Sequence, residues 1–157
     1  MYRKVEDFIT DWNNGAQGTI KVLESLTDDK LDQAIVEGHS TLGWLGWHLA
    51  TSPAFFAGIV GLNVKATGNP SQVPAQAETI IHAYKKLVED LQKEAELLTD
   101  EQLAEEIESF GNKTTRGAML RTLIDHQTHH RGQMTVLLRQ AGLKVPGVMG
   151  PTKEESN

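Results

Sequence analysis

Four segments of this 157-residue chain repeat apolar side chains at steps of three and four positions, the spacing that places them on one face of an α-helix. Turn-forming residues separate the segments, most densely in residues 62–74. The length suits one domain. We therefore predict an all-α fold, a four-helix bundle over residues 1–157, with long helices in residues 1–26, 41–61, 75–98 and 115–141.

The connections predict two short helices and a C-terminal strap. LTDDKLDQAI, which starts at Leu26, predicts a short helix over residues 30–35, and LTDEQLAEEI starts at Leu98. Their likeness indicates either a common helix start or a duplicated pair of helices. The stretch SFGNKTTRG is predicted as turns. Gly142 is placed to end the fourth helix in the left-handed conformation. The tail has two prolines and two glycines, which predict an extended strap.

The second long helix carries several unusual residues. Ser40 or Thr41 is predicted to cap it. Pro53 removes the hydrogen bond to the Leu49 carbonyl, so we expect a kink or a helix in two pieces. Two tryptophans, Trp44 and Trp47, fall off its apolar stripe and are expected to line an interface. That interface is either a homodimer contact through this helix or a contact with the Ser-Phe-Gly loop.

Composition excludes several classes of function. The chain has no cysteine, which excludes disulfides, thiolate zinc sites and cysteine nucleophiles and suits the cytoplasm. The net charge is −6 and no basic run with interleaved aromatics is present, so nucleic acid is not an expected partner. The N-terminus has no apolar signal segment, and the longest apolar stretch is interrupted by His48, Pro53 and glycines, which argues against a membrane span.

The stretch DHQTHHRGQ holds three of the six histidines. Each helical residue advances about 100°, so His126 and His130 lie one turn apart on the apolar side of the fourth helix. His129 falls off that side and is predicted to meet water or a partner chain, or to pair with Asp125. On the second long helix, His48 also falls within the arc that faces the core.

A metal ion accounts for this arrangement. Histidines at i and i+4 can bind one ion, and a third from a facing helix leaves a coordination position open. The alternative is that each is a core histidine whose hydrogen bonds are satisfied by protein. Gln133 is a candidate for orienting a ligand or for bonding a water on the ion, or it is a glutamine at the edge of the core. For Arg131 we predict a salt bridge to a neighbouring helix.

The pattern H-x-x-x-H-R-G-Q, here His126 through Gln133, together with His48 in WLGWHLATSPAF, resembles the DinB/YfiT-like family of metal-binding helical bundles. The tail GLKVPGVMGPTKEE resembles the closing segment of that family. The resemblance implies a four-helix bundle and a site for a divalent ion, commonly zinc or nickel, with His48, His126 and His130 as ligands. It also implies a small-molecule substrate and frequent dimers. Characterised relatives include thiol-S-transferases that use bacillithiol and a mycothiol-dependent isomerase.

Two classes of function are consistent with these features. The first is a metal-dependent enzyme, a low-molecular-weight-thiol transferase or a hydrolase; without cysteine in the chain, the thiol comes from a cosubstrate such as bacillithiol. The second is a non-catalytic bundle that binds metal or senses a ligand. No general base can be identified from the sequence. His82 is near the edge of the third helix's apolar face and is predicted to be a packing residue. Specificity is expected to lie in residues 62–74 and 110–114 and in the strap.

Overall fold

Four α-helices account for most of the computed structural model, which describes residues 1–155. They are α1 (Val5–Leu23), α2 (Leu42–Ile59), α3 (Ala77–Ala95) and α4 (Arg116–Gln140). Short 3-10 turns are present at Asp28–Lys30, Glu101–Ala104 and Lys153–Glu155. The predicted helical bundle is confirmed, although the short helix expected over residues 30–35 is instead the 3-10 turn that ends at Lys30. None of the helices within residues 1–155 has the length and apolar character needed to cross a membrane.

Each of the first two helices packs against both of the last two. α1 contacts α3 and α4, and α2 contacts the same two helices. One cluster of buried apolar side chains contains residues from all four. Trp12 of α1 is among its largest fully buried members, and its Nε1 donates a hydrogen bond to the Val88 carbonyl of α3 at 3.3 Å. Because α2 and α4 are direct neighbours, side chains from these two helices can meet at their shared surface.

Local side-chain chemistry sets the ends of the two helices that carry the histidines. Thr41 Oγ1 accepts a hydrogen bond from Trp44 N at 3.1 Å and caps α2, and Thr115 caps α4 in the same way. At the far end of α4, Gly142 has a φ of +74°, as its position predicts. The two amides after the helix then donate back to carbonyls of its last turn, which is the usual glycine-terminated helix end.

Pro53 does not divide α2, which runs as one helix through it. Proline lacks an N–H and leaves the Leu49 carbonyl without its helical donor. Gln127 of α4 donates from Nε2 to that oxygen at 3.4 Å. Each partner in this contact directly follows a histidine in the chain, His48 on α2 and His126 on α4. The carbonyl that Pro53 leaves free therefore joins the two histidine-bearing helices at the level of their histidines.

A β-hairpin precedes α4, where the sequence predicts turns alone. Its antiparallel strands are β1 (Glu106–Ser109) and β2 (Asn112–Thr115). Both residues of the connecting turn have positive φ, +49° at Phe110 and +76° at Gly111, as a type I′ turn requires. Phenylalanine is disfavoured in that conformation, so the local sequence gives no signal for this turn.

The two halves of the molecule repeat one order of elements. In each half a long helix is followed by a 3-10 turn within the LTD-containing segment. Antiparallel pairing then precedes the next helix: Ala34 pairs with Thr41 in the first half, and Glu106 pairs with Thr115 in the second. Each repeated segment starts a 3-10 turn and not an α-helix, and the order of elements around it is the same in both halves.

The C-terminal strap runs back over α1 and α4. Val148 lies so close to α1 that a Cβ at Gly18 would be 2.6 Å from its Cγ1, which explains a glycine inside that helix. The Arg139 side chain of α4 forms an ion pair with Glu154 at 2.7 Å. The carboxylate of Glu155 accepts from the Gly147 amide at 2.7 Å. The strap is therefore held by polar contacts at its end and by close apolar packing in its middle.

Trp47 corrects the prediction that both tryptophans of α2 line an interface. Its side chain is buried, and its Nε1 donates to the Asn69 carbonyl at 2.9 Å. A Cβ at Gly68 would lie 2.8 Å from the same ring. Trp47 therefore fixes the loop of residues 62–74 onto α2, and only Trp44 stays partly exposed.

Candidate metal centre

Three imidazoles meet on the shared surface of α2 and α4. The Nε2 atom of His126 lies 3.1 Å from Nε2 of His48 and 3.2 Å from Nε2 of His130. One ring nitrogen from each of the three lies within 4.8 Å of the other two, and all three side chains are half-buried. Within residues 1–155 no aspartate, glutamate or further histidine joins the group.

These distances suit one small divalent cation. A zinc–nitrogen bond of about 2.0–2.1 Å places two ligand nitrogens about 3.3 Å apart at a tetrahedral angle and about 2.9 Å apart at a right angle. Both short Nε2–Nε2 distances fall between these limits. Three nitrogen ligands without a fourth protein ligand are typical of catalytic sites, which keep a position for substrate. The residues therefore fit a divalent ion with an open position.

The surroundings hold the imidazoles in the neutral form that a cation requires. Burial, followed by the neighbouring His130, His48 and His129, lowers the pKa of His126 to about 4. Burial also lowers the pKa of His48, with His130 as the second cause. For His130 burial again lowers the pKa, against an opposing contribution from its hydrogen bond to Gln133. Neutral imidazoles present lone pairs to an ion without first releasing protons.

Retention of the ion is therefore expected to depend weakly on pH above about pH 6.5, the usual pKa of histidine. The lowered pKa values mean that protons compete with the metal only under more acidic conditions. Zinc bound after dialysis between pH 8 and pH 4 measures this dependence, and we expect the ion to be retained at pH 6.5 and lost only under more acidic conditions. Half-loss at or above pH 6.5 would contradict this expectation.

Gln133 contacts His130, the histidine three residues before it on α4. Its Oε1 lies 2.8 Å from Nδ1 of His130, so the ring donates its Nδ1–H to the amide oxygen. A neutral imidazole with a proton on Nδ1 carries its lone pair on Nε2, the atom that faces the other two rings. Gln133 therefore holds the His130 ring with Nε2 turned toward the other two rings, the orientation that a metal ligand there would need.

Replacement of Gln133 by leucine is expected to weaken zinc binding about 10- to 100-fold without changing the stoichiometry, because residues that orient metal ligands contribute that much. Competition with a chromogenic chelator measures the affinity. Gln140→Leu, at the exposed end of the same helix, is the matched control. Equal affinities for the two variants would remove Gln133 from the site.

Little negative charge lies behind the three rings. His126 Nδ1 is buried and has no hydrogen-bond partner within the described part of the chain. The partner of His130 is a neutral amide. An ion held here would keep most of its double positive charge, which would favour the deprotonated, anionic form of a ligand beside it.

Two aromatic side chains of α2 flank the three imidazoles. Trp44 stacks on His48, with centroids 4.7 Å apart and planes 9° apart, and it is 39 % exposed. Phe56 lies against His126 with a centroid distance of 4.9 Å. The sequence interpretation missed Trp44 as part of the site, although its position one turn before His48 is the signal that would have indicated it.

Three other predicted roles are corrected. His129 is exposed, as predicted, but Asp125 pairs with Arg121 at 2.6 Å rather than with this histidine. His82 is exposed and does not pack in the core. Arg131 is buried, but Nη1 donates to the Gly15 carbonyl at 2.7 Å and to a threonine hydroxyl instead of forming a salt bridge. Its role is to hold α4 against α1.

Comparison with known proteins places this geometry in a family. The sequence profile described as the DinB family matches residues 1–157. The uncharacterized protein YrdA of Bacillus subtilis strain 168 is 39 % identical over 159 residues, covering 99 % of this chain and 93 % of YrdA. The uncharacterized protein YjoA of the same organism is 30 % identical over 131 residues, covering 79 % of this chain and 82 % of YjoA.

Solved structures agree with the sequence comparison. A DinB-like protein from Bacillus cereus ATCC 10987 superposes with a TM-score of 0.85 at 42 % identity, covering 94 % of this chain and 99 % of that protein. The crystal structure of YjoA, also described as DinB-like, gives a TM-score of 0.72 at 25 % identity and covers 90 % of this chain and 96 % of its own.

Proposed function

This chain belongs to the DinB family, and from that premise we propose that it is a metal-dependent enzyme, a low-molecular-weight-thiol transferase or a hydrolase. The observation that carries the proposal is the convergence of three neutral, half-buried imidazoles with no fourth ligand from residues 1–155. His48, His126 and His130 hold the ion, and Gln133 orients the last of them. Zinc and nickel both suit three imidazoles.

A bound divalent ion supplies one kind of chemistry here, the lowering of the pKa of a thiol or water beside it. The chain has no cysteine, so a sulfur nucleophile has to come from a second small molecule such as bacillithiol. Phe56 and Trp44 pack against two of the imidazoles and limit the access of water to them.

The surroundings favour thiol transfer over hydrolysis. Attack by water requires a group that removes its proton, and no carboxylate within residues 1–155 joins the three imidazoles. Asp125 on α4 is engaged by Arg121. A thiol has a pKa of about 8.5 and needs only a modest decrease to ionise at neutral pH. A thiol cosubstrate therefore needs less help from the protein than a water molecule does.

A thiol-consumption assay tests the proposal. The zinc- or nickel-loaded protein is incubated with bacillithiol, mycothiol or glutathione and model electrophiles. We expect consumption above background, lost on treatment with a chelator, restored by metal and lost in His130→Ala. If the loaded protein binds metal but leaves all three thiols and a panel of ester and amide substrates unchanged, the alternative of a non-catalytic metal-binding or ligand-sensing bundle replaces the enzyme.

We also propose a cytoplasmic location and a homodimer. Low-molecular-weight thiols are kept reduced in the cytoplasm, where a transferase that consumes them would work. The exposed side chain of Trp44 on α2 supplies surface for a dimer. Light scattering after size exclusion tests the dimer, and a monomeric mass at micromolar concentration would contradict it.

A further inference from the structure

Two exposed phenylalanines meet beside the histidine-bearing surface. Phe55 lies on α2 and is 57 % exposed, and Phe110 at the hairpin tip is 69 % exposed. Their ring centroids are 5.9 Å apart. We refer to these two residues as the aromatic shelf. Two large apolar rings in contact with each other and with solvent contribute much less to the fold than buried rings of the same size would.

The hairpin places Phe110 on the shelf at a conformational cost. Its φ of +49° lies in the left-handed region, where bulky side chains are rare and where asparagine, aspartate or glycine is favoured. The exposed ring does not offset this strain by burial. Strained residues that gain little from packing are concentrated at ligand-binding sites, so this outlier points to a role outside folding.

The shelf is continuous with the metal centre. Phe55 follows His48 by seven residues, which is about two turns and places both on the same side of α2, about 10 Å apart along the axis. Phe56 bridges the gap, because its ring lies 5.8 Å from that of Phe55 and 4.9 Å from that of His126. Aromatic contacts therefore run unbroken from the hairpin tip to a ligand imidazole.

We propose that the aromatic shelf binds the apolar, ring-containing part of the electrophilic substrate while its reactive atom lies at the three histidines. This inference rests on the proposed function and names the substrate class, an electrophile with an aromatic group a few carbon atoms from the reacting centre. The distance of about two helical turns between His48 and Phe55 sets the length of that spacer. Phe110 contributes from the tip of a tight turn, so the hairpin determines specificity.

Zinc-binding hydroxamates test the shelf without an activity assay. Acetohydroxamate probes the metal alone, and 4-phenylbutanohydroxamate adds a ring on a three-carbon spacer. Calorimetry with the zinc-loaded protein gives the dissociation constant of each compound. We define the tail gain as the dissociation constant of acetohydroxamate divided by that of 4-phenylbutanohydroxamate. We expect a tail gain of about tenfold in the parent, which matches burial of part of a phenyl ring. Phe55→Ala and Phe110→Asn should each reduce it to about twofold or less.

Leu97→Ala is the matched control, since it removes an apolar side chain that is 75 % exposed elsewhere, and its tail gain should equal the parent's. Phe110→Asn should also keep or raise the melting temperature, because asparagine tolerates the left-handed conformation.

The outcomes separate the two proposals. Absence of acetohydroxamate binding to zinc-loaded protein would overturn the proposed open metal site and the shelf with it. Binding of acetohydroxamate without a tail gain for 4-phenylbutanohydroxamate would overturn the shelf alone. A tail gain that neither substitution changes would do the same. Conversion of a dimer into a monomer by these substitutions, with the tail gain retained, would assign the two rings to an interface between copies of the chain and would also overturn the shelf.

Discussion

Replacement of His126 by alanine is expected to abolish stoichiometric metal binding, whereas the parent protein should bind about one equivalent of zinc or nickel. Its Nε2 is the central atom of the group, 3.1 Å from Nε2 of His48 and 3.2 Å from Nε2 of His130. Structural zinc sites with four ligands contribute about 10–16 kcal/mol, or about 3 kcal/mol for each ligand, so the loss should reduce affinity at least about 100-fold. Elemental analysis after dialysis and competition with a chelator measure both quantities.

His129→Ala is the control for this experiment. It lies on the same helix among the same residues, but its side chain is exposed and it does not belong to the converging group. We expect it to bind one equivalent with nearly the affinity of the parent. Equal metal content in His126→Ala and His129→Ala would show that the three imidazoles do not form the binding site.

Gly117→Ala is expected to destabilise the protein by about 2–3 kcal/mol, which lowers the melting temperature of a chain this long by about 5–10 °C. A Cβ at position 117 would overlap the carbonyl oxygen of Tyr2 and lie 3.2 Å from that of Leu103. Both obstacles are backbone atoms, which cannot move aside as a flexible side chain can. The Tyr2 amide also donates to the Gly117 carbonyl at 3.1 Å, a bond that displacement of the N-terminal segment would break.

Gly132→Ala, on the same helix, should have the opposite effect. A Cβ there meets nothing within 4 Å and the residue is exposed. Alanine favours a helix interior over glycine by about 1 kcal/mol, so the melting temperature should rise by about 2–4 °C. Thermal unfolding of metal-free samples compares the two variants. A similar decrease in both would show that loss of glycine flexibility, and not the close approach of Tyr2, explains the effect at position 117.

Local sequence patterns predict most of the helical architecture because they act within one element. Thr41 and Thr115 cap their helices through bonds to amides three residues ahead, and Gly142 ends α4 through its own φ. The sides of α2 and α4 that carry His48, His126 and His130 follow from about 100° per residue. That the three rings meet is consistent with those angular positions.

Contacts between distant residues account for the corrections. Trp47 is buried because the loop of residues 62–74 folds over it, and Arg131 bonds to a carbonyl of α1 that no local pattern identifies. The hairpin was missed because Phe110 contradicts the preference of its turn. For Trp47 and Arg131 the energy comes from a partner far away in sequence, which outweighs or replaces the local preference.

The sequence by itself determined the number of long helices, the start of α2 at Thr41, the end of α4 at Gly142 and the inward angle of the three histidines, because each depends on residues within a few positions of one another. The tertiary structure alone decided the axial position of α2 against α4, which brings Nε2 of His48 to 3.1 Å from Nε2 of His126. That alignment depends on close packing across the bundle and on the bond from Gln127 to the Leu49 carbonyl that Pro53 leaves free. A helical wheel describes rotation within one helix and contains no information about the shift between two.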